Sequence, residues 1–169
     1  MKILILSDSH GRSDRIFRAY DIEKPDMVIH LGDLEDMRDS VAQRLDSPNT
    51  PCVFIKGNCD YSSQGELLNS SVFTLKKHRF YCTHGHLVKV NYGLDTLLYT
   101  AEENNCDIAL YGHTHIPMNT FMEGSFGGPK IHVLNPGSIS LPRGGSERTY
   151  MIMELSDSGA YDVRLKVMK

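Results

Sequence analysis

The chain has 169 residues, a formal net charge of −3, 40% hydrophobic and 23% charged residues. That length supports a real core in one domain spanning 1–169, and the composition excludes extensive disorder. The sequence pI of about 6.2 argues against a nucleic-acid binder that works through a broad basic surface.

Lys2–Leu6 has the length and composition of a strand buried on both faces, and Ser7-Asp8-Ser9-His10 follows it directly. Ser13 is placed to cap a helix whose Ile16, Phe17 and Tyr20 share a face, ending near Lys24-Pro25. Residues 26–31 form a second apolar run closed by Gly32-Asp33, and a short helix is expected over 37–45. Cys52–Ile55 is the third run, followed by Gly57-Asn58-Cys59-Asp60. Strand, polar turn and helix in alternation predict a parallel sheet with helices on its faces.

The second half begins differently. Val72–Leu75 and Arg79–Thr83 predict a hairpin across Lys76-Lys77-His78, and its second strand runs into His84-Gly85-His86. Leu94, Leu97, Leu98 and Ala101, at i, i+3, i+4 and i+7, predict a helix over about 92–104. Ile108–Tyr111 then leads into Gly112-His113-Thr114-His115. Residues 120–122, 131–134, 150–155 and 160–167 read as short antiparallel strands. The expected architecture is two packed sheets with helices outside.

The cysteines Cys52, Cys59, Cys82 and Cys106 show no CxxC spacing and read as reduced thiols. The apolar start, Met1–Leu6, is too short for a leader or a membrane span. A cytoplasmic protein with no membrane partner is expected.

Asp8, His10, Asp33, Asn58, His84, His113 and His115 all fall just after apolar runs. Singly, the carboxylates and the amide are ordinary turn and cap residues, and His84 suits a core. Together, at five successive strand ends, they would converge on one crevice, where open sheets collect ligands. Oxygen and imidazole donors suit borderline first-row metals, and a carboxylate such as Asp33 can bridge two ions about 3.5–4 Å apart. Two divalent ions against Asp8 and Asp33 leave a net charge of +2, or +1 with a bound hydroxide. Such a centre attracts a phosphodiester anion and supplies a nucleophile at neutral pH.

With these motifs in order, and with Asn135-Pro136-Gly137-Ser138 after them, residues 1–145 resemble the calcineurin-like metallophosphoesterases, closest to their small bacterial and archaeal phosphodiesterase branch. The resemblance implies a four-layer αββα sandwich in the α/β class. It implies one metal on Asp8, His10, Asp33 and His115 and a second on Asp33, Asn58, His84 and His113. It also implies manganese, with iron, zinc or nickel as alternatives, and in-line attack of a metal-bound hydroxide on a small phosphoester substrate. Asn58 and His86 are the catalytic candidates beyond the metals; for His86 the alternative is a solvated residue.

Many family members carry histidine after the motif asparagine. Here Cys59 stands in that place, a poorer hydrogen-bond donor than imidazolium, so packing suits it and diesters with good leaving groups are the expected substrates. His30 either orients Asp33 or fills the core; His78 and His132 read as structural or solvent-facing. Asn135 and Arg143 are expected at the pocket rim, and Gly137 in a tight turn. The alternative function is a binding scaffold like the retromer subunit of similar fold, whose metal site is degraded. A nuclease would need a basic stripe that this chain lacks. Oligomeric state is open, with Phe126 in the 124–129 segment suiting either a homo-oligomer interface or a loop.

Overall fold

Alternation along the first strand sets the layers of the molecule. In the computed structural model, which describes residues 1–46, 48–61 and 66–169, β1 is Lys2–Leu6. Its Ile3 and Ile5 join one apolar cluster, whereas Leu4 and Leu6 join another. Successive side chains in a strand point to opposite faces, so a strand apolar on both must be covered on both.

The order continues with α1 (Ser13–Glu23), β2 (Met27–His30), α2 (Arg38–Arg44), β3 (Cys52–Phe54), β4 (Ser70–Leu75) and β5 (His78–Thr83). Then come α3 (Asp95–Glu103), β6 (Ile108–Leu110), β7 (Pro117–Glu123), β8 (Lys130–Pro136), β9 (Thr149–Leu155) and β10 (Tyr161–Val167). Among the described residues these strands make two five-stranded mixed sheets, β10-β9-β1-β2-β3 and β4-β5-β6-β8-β7. β1, β2 and β3 run parallel, with Leu4 opposite Val28 and Ile29 opposite Val53. β5, β6 and β8 are likewise parallel, with Tyr81 opposite Ala109 and Ala109 opposite Val133.

Three apolar layers hold this together. Ile3, Ile5, Ile29 and Met151 of the first sheet meet Phe80, Cys82, Ile108 and Leu134 of the second between the sheets. Outside the first sheet, Ile16 and Ala19 of α1 and Val41 and Ala42 of α2 cover Leu4, Leu6 and Val28. Outside the second, Leu97, Leu98 and Ala101 of α3 cover Tyr81, Ala109, Ile131 and Val133. The result is the four-layer α/β sandwich. Each fully buried Leu or Ile in these layers contributes about 1.5–3 kcal/mol. Among the described residues, no helix is long and apolar enough to cross a membrane.

Three local expectations are corrected. β8, read as antiparallel, is antiparallel only to β7 and parallel to β6; β7 runs out to the sheet edge and β8 doubles back into the gap. Ser13 opens α1 as its first residue and does not cap it, because its Oγ is drawn to Asp36 Oδ2 at 2.5 Å. α3 begins three residues late, at Asp95, since Gly93 sits at φ 147°, outside helical space. The side chain of Phe126 lies outside the described residues.

Candidate metal centre

Five parallel strands, β1, β2, β3, β5 and β6, deliver their following loops to one edge of the sandwich. The backbone there is unusual: Asp8, His10, Asp33, His113 and His115 have φ of 56°, 46°, 52°, 66° and 60°. Side chains other than glycine rarely adopt this left-handed conformation, which costs about 1–3 kcal/mol and persists where surrounding contacts over-determine it. Those contacts are visible. Asp8, His10 and Gly11 donate their amides to Gly32, Asp33 and Leu34 carbonyls at 2.9–3.0 Å, and Gly112 donates to His84 O at 3.0 Å. Two glycines let the loops close up: a Cβ on Gly57 would overlap the Asp33 carboxylate, and one on Gly112 would overlap Ser7 Oγ.

The side chains converge. Asp8 Oδ1 lies 3.1 Å from His115 Nε2 and 4.0 Å from His84 Nε2, while Asp33 Oδ1 lies 3.5 Å from His84 Nε2. His10 Nε2 stands 3.8 Å from Asp33 Oδ2 and 3.4 Å from His115 Nε2. Asn58 Oδ1 faces His84 Nε2 at 3.2 Å. His113 meets His84 edge-on with ring centroids 5.1 Å apart, and its amide donates to Asp8 Oδ2 at 3.1 Å. His86 has its ring 5.3 Å from that of His84 and 6.2 Å from that of His113. All eight sequence-derived candidates therefore gather at this edge.

The hydrogen bonds on the far side of each ring fix what points inward. His84 Nδ1 donates to Leu31 O at 2.7 Å and His115 Nδ1 to Leu141 O at 2.5 Å. His10 Nδ1 faces Glu35 Oε1 at 3.0 Å. A carbonyl or carboxylate oxygen only accepts, so each neutral ring turns an Nε2 lone pair into the cluster. Lone pairs of His10, His84 and His115 thus face carboxylate oxygens and one another. Among the described residues, buried Asp8 Oδ1 meets no well-aligned hydrogen-bond donor, its near neighbour being His115 Nε2 at 3.1 Å. Only protons or a cation relieve this arrangement. Ligand atoms of Asp8, His10, Asp33 and His115 all lie within 4.8 Å of one another, a group able to hold a metal ion, and the mixed N/O set fits a first-row divalent cation.

Charges respond accordingly. Burial opposes ionisation of Asp8 and Asp33, yet the neighbouring His115 and His84 outweigh it and hold both carboxyls below their ordinary range. Burial also opposes protonation of His84 and His115, but Asp33 and Asp8 respectively prevail and raise both imidazoles. His86 and His113 move the other way, lowered first by burial and then by the charge of His84. Burial and the adjacent Asp33 push the Cys59 thiol up to about 12.

Supporting residues resolve several open points. His30 is fully buried, accepts from Gly32 N at 3.2 Å and pairs through Nε2 with Ser9 Oγ at 2.9 Å. It therefore props up the loop that carries Asp33, and burial lowers its pKa to about 4. Asn135, expected at the rim, is instead completely buried: its amide donates to Gly112 O and Thr114 Oγ1, both at 3.0 Å, as a strut beneath the His113–His115 loop. Arg143 is exposed and its amide donates to His115 O at 3.1 Å, so it does lie at the rim. Gly137, at φ 74°, forms the tight turn, its amide bonded to Asn135 Oδ1 at 2.8 Å. Sequence reasoning passed over Asp60, whose two oxygens accept from Gly57 N and Glu35 N, each at 2.8 Å, joining two loops. It also passed over Asn91, 2.9 Å from His113 Nε2. The one available signal was position, since Asp60 closes the Gly57–Asp60 turn.

An α/β sandwich with imidazole and carboxylate donors gathered at its strand ends is the frame of a metal-dependent hydrolase. Residues 1–158 match the calcineurin-like phosphoesterase superfamily domain, and the chain belongs to that family, whose members are metal-dependent. It is 32% identical over 164 residues to the "Probable metallophosphoesterase YsnB" of Bacillus subtilis, covering 95% of this chain and 88% of that protein. To the "Phosphodiesterase YfcE" of Escherichia coli K12 it is 29% identical over 174 residues, covering 91% and 88%. A conserved uncharacterized protein of Streptococcus pneumoniae TIGR4 superposes with a TM-score of 0.78 at 34% identity, covering 99% and 89%. Vps29 of Entamoeba histolytica, complexed with Zn2+, shares the fold with a TM-score of 0.67 at 20% identity, covering 100% of both chains.

Proposed function

We propose that this protein is a phosphodiesterase working at a binuclear metal centre. The observation that carries the reading is the set of inward Nε2 atoms of His10, His84 and His115 gathered against the buried carboxylates of Asp8 and Asp33. Asp8, His10, Asp33 and His115 would hold one cation and Asp33, Asn58, His84 and His113 the other, with Asp33 shared. Divalent cations held there, manganese first and iron, zinc or nickel as alternatives, would supply Lewis acidity to activate water and to balance charge on the phosphoryl oxygens.

The chain's own residues set the selectivity. Asp8 and Asp33 leave the centre net positive, which draws an anionic phosphoester, and Asn58 adds an oxygen donor without adding charge. His86, which burial holds below the ordinary imidazole range, offers an imidazole N–H to the substrate phosphate. Cys59, pushed up to about 12 by burial and Asp33, stays a thiol, a poorer hydrogen-bond donor than imidazolium. No imidazolium follows Asn58 to protonate the departing oxygen, which favours small diesters with good leaving groups. The name of the YfcE relative supports the diester class. We assign the activity to a single domain in the cytoplasm, acting on small molecules in preference to nucleic acid or membrane.

The test is a panel of activated and unactivated phosphomonoesters and diesters, run on metal-free protein reconstituted with Mn2+, Fe2+, Zn2+ or Ni2+. Metal-dependent turnover favouring activated diesters is expected. Absence of turnover on every activated ester, with two metals bound per chain, would overturn the enzyme. That outcome would favour the alternative, a binding scaffold, which the shared fold with Vps29 keeps in view.

A further inference from the structure

Among the described residues, His10 is the site imidazole whose outward nitrogen meets a carboxylate. His84 and His115 give their Nδ1–H to the carbonyls of Leu31 and Leu141, and His113 Nε2 lies against the Asn91 amide. His10 Nδ1 faces Glu35 Oε1 at 3.0 Å. An ionised carboxylate can only accept, so this contact places the proton on Nδ1 and the lone pair on Nε2. That Nε2 is the atom 3.4 Å from His115 Nε2 and 3.8 Å from Asp33 Oδ2.

Glu35 is itself held with care. It sits at φ 51°, a left-handed conformation that a long side chain seldom takes. Its amide is fixed by Asp60 Oδ1 at 2.8 Å, and Asp60 Oδ2 takes the Gly57 amide at 2.8 Å. The Glu35 side chain keeps 34% of its surface exposed, so it fills no core space that would explain the strain.

We infer that Glu35 is a positioning residue that locks His10 as the Nδ1–H tautomer and strengthens its Nε2 as a donor to a divalent cation. A carboxylate behind a ligating histidine orients the ring and raises its basicity. The inference rests on the proposed metal centre.

The experiment titrates Mn2+ calorimetrically into the metal-free full-length chain and its Glu35→Ala, Glu35→Gln, Glu35→Gly and His10→Ala variants. The ring 15N shifts of His10 are read in the metal-free proteins. Glu35→Ala and Glu35→Gly are expected to lose about 10–100-fold in Mn2+ affinity and to move the His10 proton toward Nε2. Glu35→Gln, whose amide oxygen still accepts, is expected to keep the tautomer and recover much of the affinity. Glu35→Gly relieves the left-handed strain, so undiminished thermal stability there separates lost affinity from misfolding. Weakened binding in His10→Ala with unchanged binding in Glu35→Ala and Glu35→Gly overturns the role of Glu35 alone. So does an unchanged His10 tautomer in Glu35→Ala. Unchanged binding in His10→Ala overturns His10 as a ligand, and with it the reading beneath.

Discussion

The two edges of the sandwich use the same residue in opposite ways. At the edge where β5, β8 and β10 begin, His132 has both ring nitrogens filled, by Tyr161 OH at 2.8 Å and Asn119 Oδ1 at 2.7 Å. His78 is likewise filled, by Asp107 Oδ2 at 2.5 Å and Gly159 O at 2.6 Å. At the opposite edge, His10, His84 and His115 each spend one nitrogen on the protein and turn the other toward carboxylates. A histidine whose donors and acceptors are all matched is part of the frame; one left half-matched beside anions is poised for a ligand. The neighbours of both ring nitrogens, more than burial, separate the two kinds. His84 at 0% and His132 at 4% exposure are equally hidden.

The contrast breaks most severely if Asp33 is dispensable. Asp33→Ala should strip cation from both proposed positions and remove several kcal/mol of transition-state stabilisation, about a thousandfold in rate. Metal analysis of purified protein alongside turnover checks it, and a parental metal content would end the shared-ligand assignment. His86→Ala should lower turnover about a hundredfold while the metal content holds. Loss of metal in that variant would move His86 from substrate contact into the ligand set.

Acidity sharpens the comparison at the next level. A protonated imidazole has no lone pair, so protons and cations compete for Nε2 of His84 and His115. Because the carboxylates raise both imidazoles, Mn2+ affinity should be complete above those raised values and fall as pH drops through them. Titrations in steps from about pH 8.5 to 5.5, around the ordinary histidine value near 6.5, measure this; a flat profile would show that neither nitrogen binds. The smallest effect is predicted at the far edge. His132→Ala should cost about 1–3 kcal/mol of stability by removing the partner of Tyr161 and Asn119, with turnover unaltered. Thermal melts beside rate assays decide whether that edge is frame alone.

Much of the frame was legible because local pattern and tertiary role agreed. Lys2–Leu6, apolar at every position after Lys2, predicted a strand covered on both sides, and α3 carries the predicted Leu97, Leu98 and Ala101 stripe. The candidate site was legible for a related reason: parallel strands send their following loops to one edge, so spacing along the chain becomes proximity. What could not be read were contacts between loops. Asn135 looked like a rim residue because turn sequences are usually exposed, yet it lies in β8, fully buried beneath the His113–His115 loop. Ser13 looked like a cap because its local grammar is that of a cap; Asp36, 23 residues away, redirected the hydroxyl. Glu35 and Asp60 carry no periodic signal at all, since their roles depend on which loops meet.

The left-handed residues at positions 8, 10, 33, 113 and 115 have a consequence for how this protein tolerates change. Glycine or asparagine at any of them relaxes the backbone, so selection for heat resistance and selection for turnover would pull the same five codons apart. A library sorted once by survival after heating and once by hydrolysis should enrich different residues there, and the same residues almost everywhere else. Such divergence between stability and activity marks sites where strain serves function.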